Sequence, residues 1–262
     1  MFNLPTVVMV SLAALVAIHA LRTFVLADEA DLELLIELAA IPARWTLALD
    51  PARATDVLAS AGGTGADETL RAAMARYVVD DSAHPWTAVT YAFLHGSWTH
   101  IAMNGVWFAA FGSPVARRLG AVRFLALALA CAIAGAAAHA LVHPLSVLPM
   151  IGASAAVSGM MAAAARFIFA PPRRSGGWMP VPVHRRELQS LPQLFGNRSA
   201  ALFLGVWFVT NFAFGALAAP LGAVDAGIAW EAHVGGFLAG LLLMPALDRP
   251  PEPEPIGGAD LS

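Results

Sequence analysis

The sequence predicts an all-α polytopic membrane protein, a bundle of six transmembrane helices, and three observations lead there. Composition comes first. Apolar residues make up 58% of the chain and charged residues 13%, with a mean hydropathy of +0.68; soluble domains carry about a quarter charged residues. The second is distribution. The apolar residues lie in long blocks, each near the roughly 20 residues that one span requires. The 262 residues hold six such blocks and one long loop. The third is an alternation of Arg-rich and Arg-free connections between the blocks.

The first span covers about 5–26. It is too long and unbroken for an ordinary signal peptide and lacks a basic leading region, so it reads as a retained helix. Residues 27–85 form a long mixed-charge loop that opens with Asp28, Glu29, Asp31, Glu33 and Glu37. Within it, 32–47 is expected as an amphipathic interfacial helix, and Gly62-Gly63-Thr64-Gly65 as a turn or flexible tip. The second span covers about 99–116 and the third about 122–142. The fourth starts near Ser154 and ends near Ala170. The fifth covers about 200–219 and the sixth about 229–247. The Pro/Glu-rich stretch 248–262 reads as a disordered tail.

Arg117, Arg118 and Arg123 follow span two, and Arg173, Arg174, Arg185, Arg186 and Arg198 follow span four; the connections after spans three and five carry none. The positive-inside rule places the Arg-rich loops in the cytoplasm, and with six spans both termini lie there too. Spans two, four and six then all start at the outer face, so their first turns share a depth.

Several function classes are excluded. A net charge of −3 with only short Arg pairs argues against nucleic acid as a partner. Cys131 is the single cysteine, so no intrachain disulfide or cysteine metal site forms. Every one of the fifteen basic residues is Arg, and Ala is abundant, a pattern of GC-rich bacterial genomes. No His-Glu-x-x-His motif is present, no carboxylate is expected at the depth of the histidines, and Glu231 falls on a different helical face from His233. No metal or cofactor is therefore expected, and His139 and His143 read as interfacial residues. Trp107, Trp207 and Trp230 read as core or interface aromatics. A small transporter would show inverted repeats and broken helices, and the polar groups here cluster at one end instead.

Polar groups inside apolar spans are functional candidates by default. The first turns of spans two, four and six supply His100 and Asn104, then Ser154, then His233. Ser154 has small neighbours, Gly152, Ala153 and Ala155, which permit a tight entry into the helix. The free N–H groups and positive dipole end of a helix start favour developing negative charge. From Ser154 to Ala170 is about 25 Å of helix, short of the roughly 30 Å hydrocarbon core. Ser154 should thus sit in a recess below the outer edge. Taken alone, Ser154 reads more readily as a helix cap, and His233 alone reads equally as an interhelical hydrogen-bonding group. Ala232, Gly236 and Gly240 recur every four residues, a stripe that lets two membrane helices touch; Ser154, Ser158 and Ala162 are the expected matching stripe. His100 and Asn104, four apart, share one face, and both can donate to an oxyanion. His95 reads as structural, fixing the entry into span two.

These residues resemble the motifs of the rhomboid family. His95, His100 and Asn104 match its second-helix pattern of His, four residues, His, three residues, Asn. Gly152-Ala153-Ser154-Ala155 is similar to its Gly-x-Ser-Gly motif, and His233 before Gly236 and Gly240 to its sixth-helix motif. Trp86 resembles the Trp of its first loop, and Arg118-Leu119-Gly120 falls at a similar turn. The likeness covers about 86–247, a rhomboid core preceded by span one and the 27–85 loop. It implies a six-helix rhomboid-like bundle acting as an intramembrane serine endopeptidase of the bacterial cell membrane, its site opening outward. The implied substrates are single-pass transmembrane proteins, cut by a Ser154–His233 dyad without a cofactor. The Ser154 N–H, His100 and Asn104 would form the oxyanion hole; 220–227 would be a lid and span five a substrate gate. Membrane lipid surrounds such a protein; oligomeric state does not follow from the likeness. Three departures stand out: Ala155 replaces the second motif glycine, Ser158 stands where an aromatic often packs on the base, and Thr87 follows Trp86 where Arg is frequent. They keep an inactive, client-binding rhomboid-like protein as the alternative.

Overall fold

The computed structural model describes residues 4–61, 66–172, 181–213, 215 and 229–248. The glycine-rich tip at 62–65, the 220–227 loop and the tail from 249 onward lie outside the described residues. Among those described the chain is helical, with a single isolated β-bridge between Ala40 and Met150. It is an all-α polytopic membrane protein.

The apolar blocks become helices close to the expected bounds. Helix α1 is Thr6–Phe24. The second block opens with α7, Trp98–Trp107, whose Ser97 cap accepts from the His100 N–H. It runs on through a π-helical turn, Phe108–Gly112, into α8, Ser113–Leu119, three residues beyond the expected 116. Gly120, at φ +74°, stops it. The later blocks give α9, Ala121–Val142; α10, Ser154–Ile168; α12, Arg198–Phe212; and α13, Trp230–Leu247; the expected end of the fifth block, 216–219, lies outside the described residues. A short helix α11, Leu191–Gly196, precedes α12 with a full capping box from Ser190 and Gln193. Helices α1, α9 and α13 are each long and apolar enough to cross a membrane unbroken.

The 27–85 loop differs from expectation. The single helix expected over 32–47 is two, α2, Asp28–Leu38, and α3, Pro42–Leu49. Pro42 lacks an N–H and holds Ile41 extended at φ −116°, ψ 103°. The freed backbone of Ala40 instead exchanges two hydrogen bonds with Met150, at 3.1 and 2.9 Å. Two more helices follow, α4, Ala54–Ser60, and α5, Ala66–Val79. Ile41, Ala43, Val57, Met74, Ala75 and Val78 bury themselves together with Val147, from the loop after α9. Inside this unit Arg44, wholly buried, pairs with Asp81 at 2.5 Å and donates to the Ile36 carbonyl. A short helix α6, Thr87–Thr90, closes the loop; the Trp86 indole donates to the Glu37 carbonyl. The loop is thus a small packed layer.

The core of the bundle is α9, α10 and α13. Gly236 and Gly240 lie so close to α10 that a Cβ on either would meet backbone atoms, of Ala155 and Gly159 respectively. Gly159 in turn faces Cys131 of α9 and the Gly236 carbonyl. The small-residue stripe on α13 is therefore present, but its partner on α10 is Ala155 and Gly159, not Ser154, Ser158 and Ala162. One residue is about 100° around a helix, and Ser154 is turned off the contact line toward a neighbouring groove. At the far end Arg118 binds Asp248 through two bonds, at 2.8 and 2.6 Å, and lies over the Phe167 ring, tying α8 to the end of α13.

Candidate active site

The starts of α7, α10 and α13 meet at one end of the bundle. Ser154 is the first residue of α10, and the helix is entered through Ala153 without a side-chain cap. The hydroxyl is thus not a cap. It lies 2.7 Å from Nε2 of His233, in the first turn of α13. Both residues are half-buried.

The ring orientation follows from the far side of the imidazole. Nδ1 lies 2.5 Å from Oδ1 of Asn211 on α12. The amide nitrogen of Asn211 donates to the Trp230 carbonyl at 3.3 Å. A flipped amide would set two oxygens against each other there, so Oδ1 faces the ring and accepts from Nδ1–H. Nε2 is then the unprotonated nitrogen, and the Ser154 O–H donates to it. The donors Ser154, His233 and Asn211 follow one another, and the series ends on the accepting Trp230 carbonyl.

His100 and Asn104 stand across Gly152. Gly152 has φ +121°, and a Cβ there would fall 2.9 Å from Cε1 and Nε2 of His100 and 3.8 Å from Nδ2 of Asn104. Only glycine satisfies both the backbone angle and the approach. The Gly96 N–H points at His100 Nδ1, 3.5 Å away, which leaves Nε2 to carry the proton and face the loop as a donor. Gly152 is itself fixed by its N–H to the Tyr91 carbonyl at 3.0 Å, while the Tyr91 hydroxyl donates to Ala132 of α9. His95 is buried; its ring packs edge-on against His100 at 5.0 Å and its carbonyl accepts from Arg22. Arg22 also holds Asp31, joining α1, α2 and the entry to α7.

The site is recessed. Ala155 sits beside Gly135, where an added Cβ would run into the Ala155 methyl. Gly135 is seven residues before the end of α9 at Val142, about 10 Å down that helix. The same contact explains how Ala155 is accommodated: its methyl points at α9, into the space that Gly135 leaves.

The chain belongs to the rhomboid family. Its rhomboid domain matches residues 82–249, which contain every residue just described except Arg22 and Asp31. No curated protein matches the chain.

Sequence reasoning missed Asn211. It is a polar residue in an apolar block, and the rule that singled out Ser154 applies to it equally. Attention to spans that start at one face passed over a helix that ends there. The trio of tryptophans packs as expected: Trp107 on Phe111, Trp207 on Phe237 at 4.5 Å, and Trp230 against Phe212. The expectation that no carboxylate reaches the depth of the histidines is corrected. Glu231 is two residues from His233, about 200° around α13, and so faces α9. There it lies 2.8 Å from His143 and 3.5 Å from His139.

Proposed function

We propose that this rhomboid protein is an intramembrane serine endopeptidase that cuts transmembrane segments of single-pass membrane proteins. The observation that carries the reading is the hydrogen-bonded series Ser154–His233–Asn211, with Nε2 left free to take the hydroxyl proton. Ser154 attacks a peptide carbonyl while His233 accepts its proton at Nε2. The oxyanion is held by the Ser154 N–H at the helix start together with His100 and Asn104. His233 then protonates the departing amine, which leaves an acyl group on Ser154. Water entering through the recess, activated by the same imidazole, releases the acid.

Asn211 is a positioning residue in this scheme: it fixes the tautomer and orientation of His233 but does not touch the substrate. The second motif glycine is dispensable because the Ala155 methyl points away from Ser154, and the aromatic absent at Ser158 is replaced as a support by Asn211. Both features weigh against the inactive, client-binding alternative. The alternation of Arg-rich loops favours a bacterial cell membrane with the termini in the cytoplasm and the site opening outward. Substrate would enter beside α12, whose Leu202, Val206, Phe208 and Val209 are exposed.

The test is cleavage of a model single-pass substrate in liposomes, with fluorophosphonate labelling alongside. The wild type should cleave and label; Ser154→Ala and His233→Ala should do neither. Undiminished cleavage in Ser154→Ala would sink the assignment.

A further inference from the structure

His139, in the last turn of α9, and His143, its C-cap, are four positions apart, so their rings share a face, with centroids 5.0 Å apart. Glu231 reaches them from the first turn of α13. One ligand atom from each of the three residues lies within 4.8 Å of the others. In a tetrahedral Zn²⁺ site, N and O ligands lie about 2.0–2.1 Å from the metal and so about 3.3 Å apart. Small side-chain rotations reach that spacing, and His143, 46% exposed, is free to make them.

The protein leaves this carboxylate under-compensated. The Glu231 side chain is only 8% exposed, and among the described residues its ion-pairing groups are the two imidazoles alone. A buried carboxylate needs a cation or a full set of donors. His143 supplies one good bond. Nδ1 of His139 is buried, and at 3.5 Å it is too far from the carboxylate for a well-formed hydrogen bond. A divalent cation would satisfy all three groups at once. Access exists on the His143 side, where an open cleft is lined by Ser60, Arg71, His143, Pro144 and Ser146.

We propose that His139, His143 and Glu231 form a binding site for a Zn²⁺-class divalent ion, with the fourth position open to water on the cleft side. Two imidazoles and one carboxylate suit a borderline-soft metal and not Mg²⁺ or Ca²⁺. The site lies one helical turn nearer the mouth than Ser154, since His139 is four residues beyond Gly135. A bound ion would clip the end of α9 to the first turn of α13, the turn that carries His233.

The experiment uses full-length protein in detergent, purified through a histidine-free tag, on the Ser154→Ala background so that proteolysis plays no part. The protein is stripped with chelator and titrated with Co²⁺, followed by its visible absorption, then challenged with Zn²⁺. The expected result is one Co²⁺ per chain, displaced by Zn²⁺, and a thermal midpoint raised by Zn²⁺. His143→Ala, a change at an exposed side chain, should weaken binding by at least about tenfold and abolish the thermal shift; Glu231→Gln should do the same. Absence of stoichiometric binding would overturn the proposal, as would equal affinity in wild type and His143→Ala. Because proteolysis is not measured, the outcome is independent of the protease reading.

Discussion

Helix α13 meets its two neighbours in opposite ways. Against α10 it presents bare backbone: Gly236 and Gly240 sit on the main chain of Ala155 and Gly159 with no side chain between. Against α12, among the described residues, it is met by side chains, in the Trp207–Phe237 stack and the reach of the Asn211 amide to the His233 ring and the Trp230 carbonyl. The first interface sets the close spacing of Ser154 and His233, because the backbones already touch and neither helix can move nearer. The second fixes the orientation of the imidazole, and it sits on a helix with much of its surface exposed. The spacing of Ser154 and His233 is thus set by backbone contact, whereas orientation of the imidazole rests on the less tightly packed neighbour. The contrast is useful because each half can be broken separately.

The largest effect is expected at the dyad itself. If the proposed function holds, Ser154→Ala should lower turnover of a transmembrane substrate by at least about 10⁴-fold, as loss of a nucleophile does in serine proteases, without changing the thermal midpoint by more than a few degrees. The reverse pattern is expected on the rigid side. Gly240→Val must displace the Gly159 backbone, so overpacking should cost about 3 kcal/mol or more. Thermal unfolding in detergent measures this, and cleavage falls with the folded fraction. A well-folded Gly240→Val protein would show that the α10–α13 contact is not the fixed side of the comparison.

Breaking the other side should look different. Asn211→Ala removes one hydrogen bond to the His233 ring, and a bond worth about 1–3 kcal/mol translates to about 5–150-fold in rate. The loss should fall on kcat with KM little changed, and stability should hold. Asn211→Asp keeps an oxygen that accepts from Nδ1 but sets its second oxygen against the Trp230 carbonyl, so it should recover part of the rate. An equal loss in Ala and Asp would mean that Asn211 serves packing of α12 and does not position His233.

How much of this was legible in the sequence follows the same division. The core was: Ser154, His233, His100 and Asn104 converge because an apolar span tolerates few polar groups, so each announces itself. The stripe on α13 was also visible as a period of four. Its partner face was read one residue off, since a helix start allows Ser154 to be placed either on the contact line or beside it, and only the packed helices decide. Asn211 and the Glu231 cluster were not found, because each depends on which way a helix is rotated about its axis. The 27–85 layer was largely illegible. Its apolar residues are short-range and mixed with charge, and Pro42, which splits α2 from α3, acts through a bridge to Met150 that lies more than a hundred residues away.

The smallest effect is expected at Ala155, where the rigid interface was adjusted and not merely built. A methyl beside Ser154 is a departure from the family's glycine, and two outcomes are distinguishable. If the methyl crowded Ser154, Ala155→Gly would raise the rate. The geometry gives the other answer: the methyl points at Gly135 of α9, so removing it opens a small void and adds a flexible residue to the first turn of α10. Ala155→Gly should therefore cost about 1 kcal/mol of stability and leave kcat within a few-fold of wild type. The reciprocal change, Gly135→Ala, meets the Ala155 methyl and also the Ala232 carbonyl, and should be the more damaging of the two. In the double variant the methyl clash is gone while the carbonyl clash remains, so stability should recover only in part. A full recovery would locate all the strain at Ala155, and no recovery would show that α9 is set by α13 alone; partial recovery places the three helices in mutual contact at the level of the dyad.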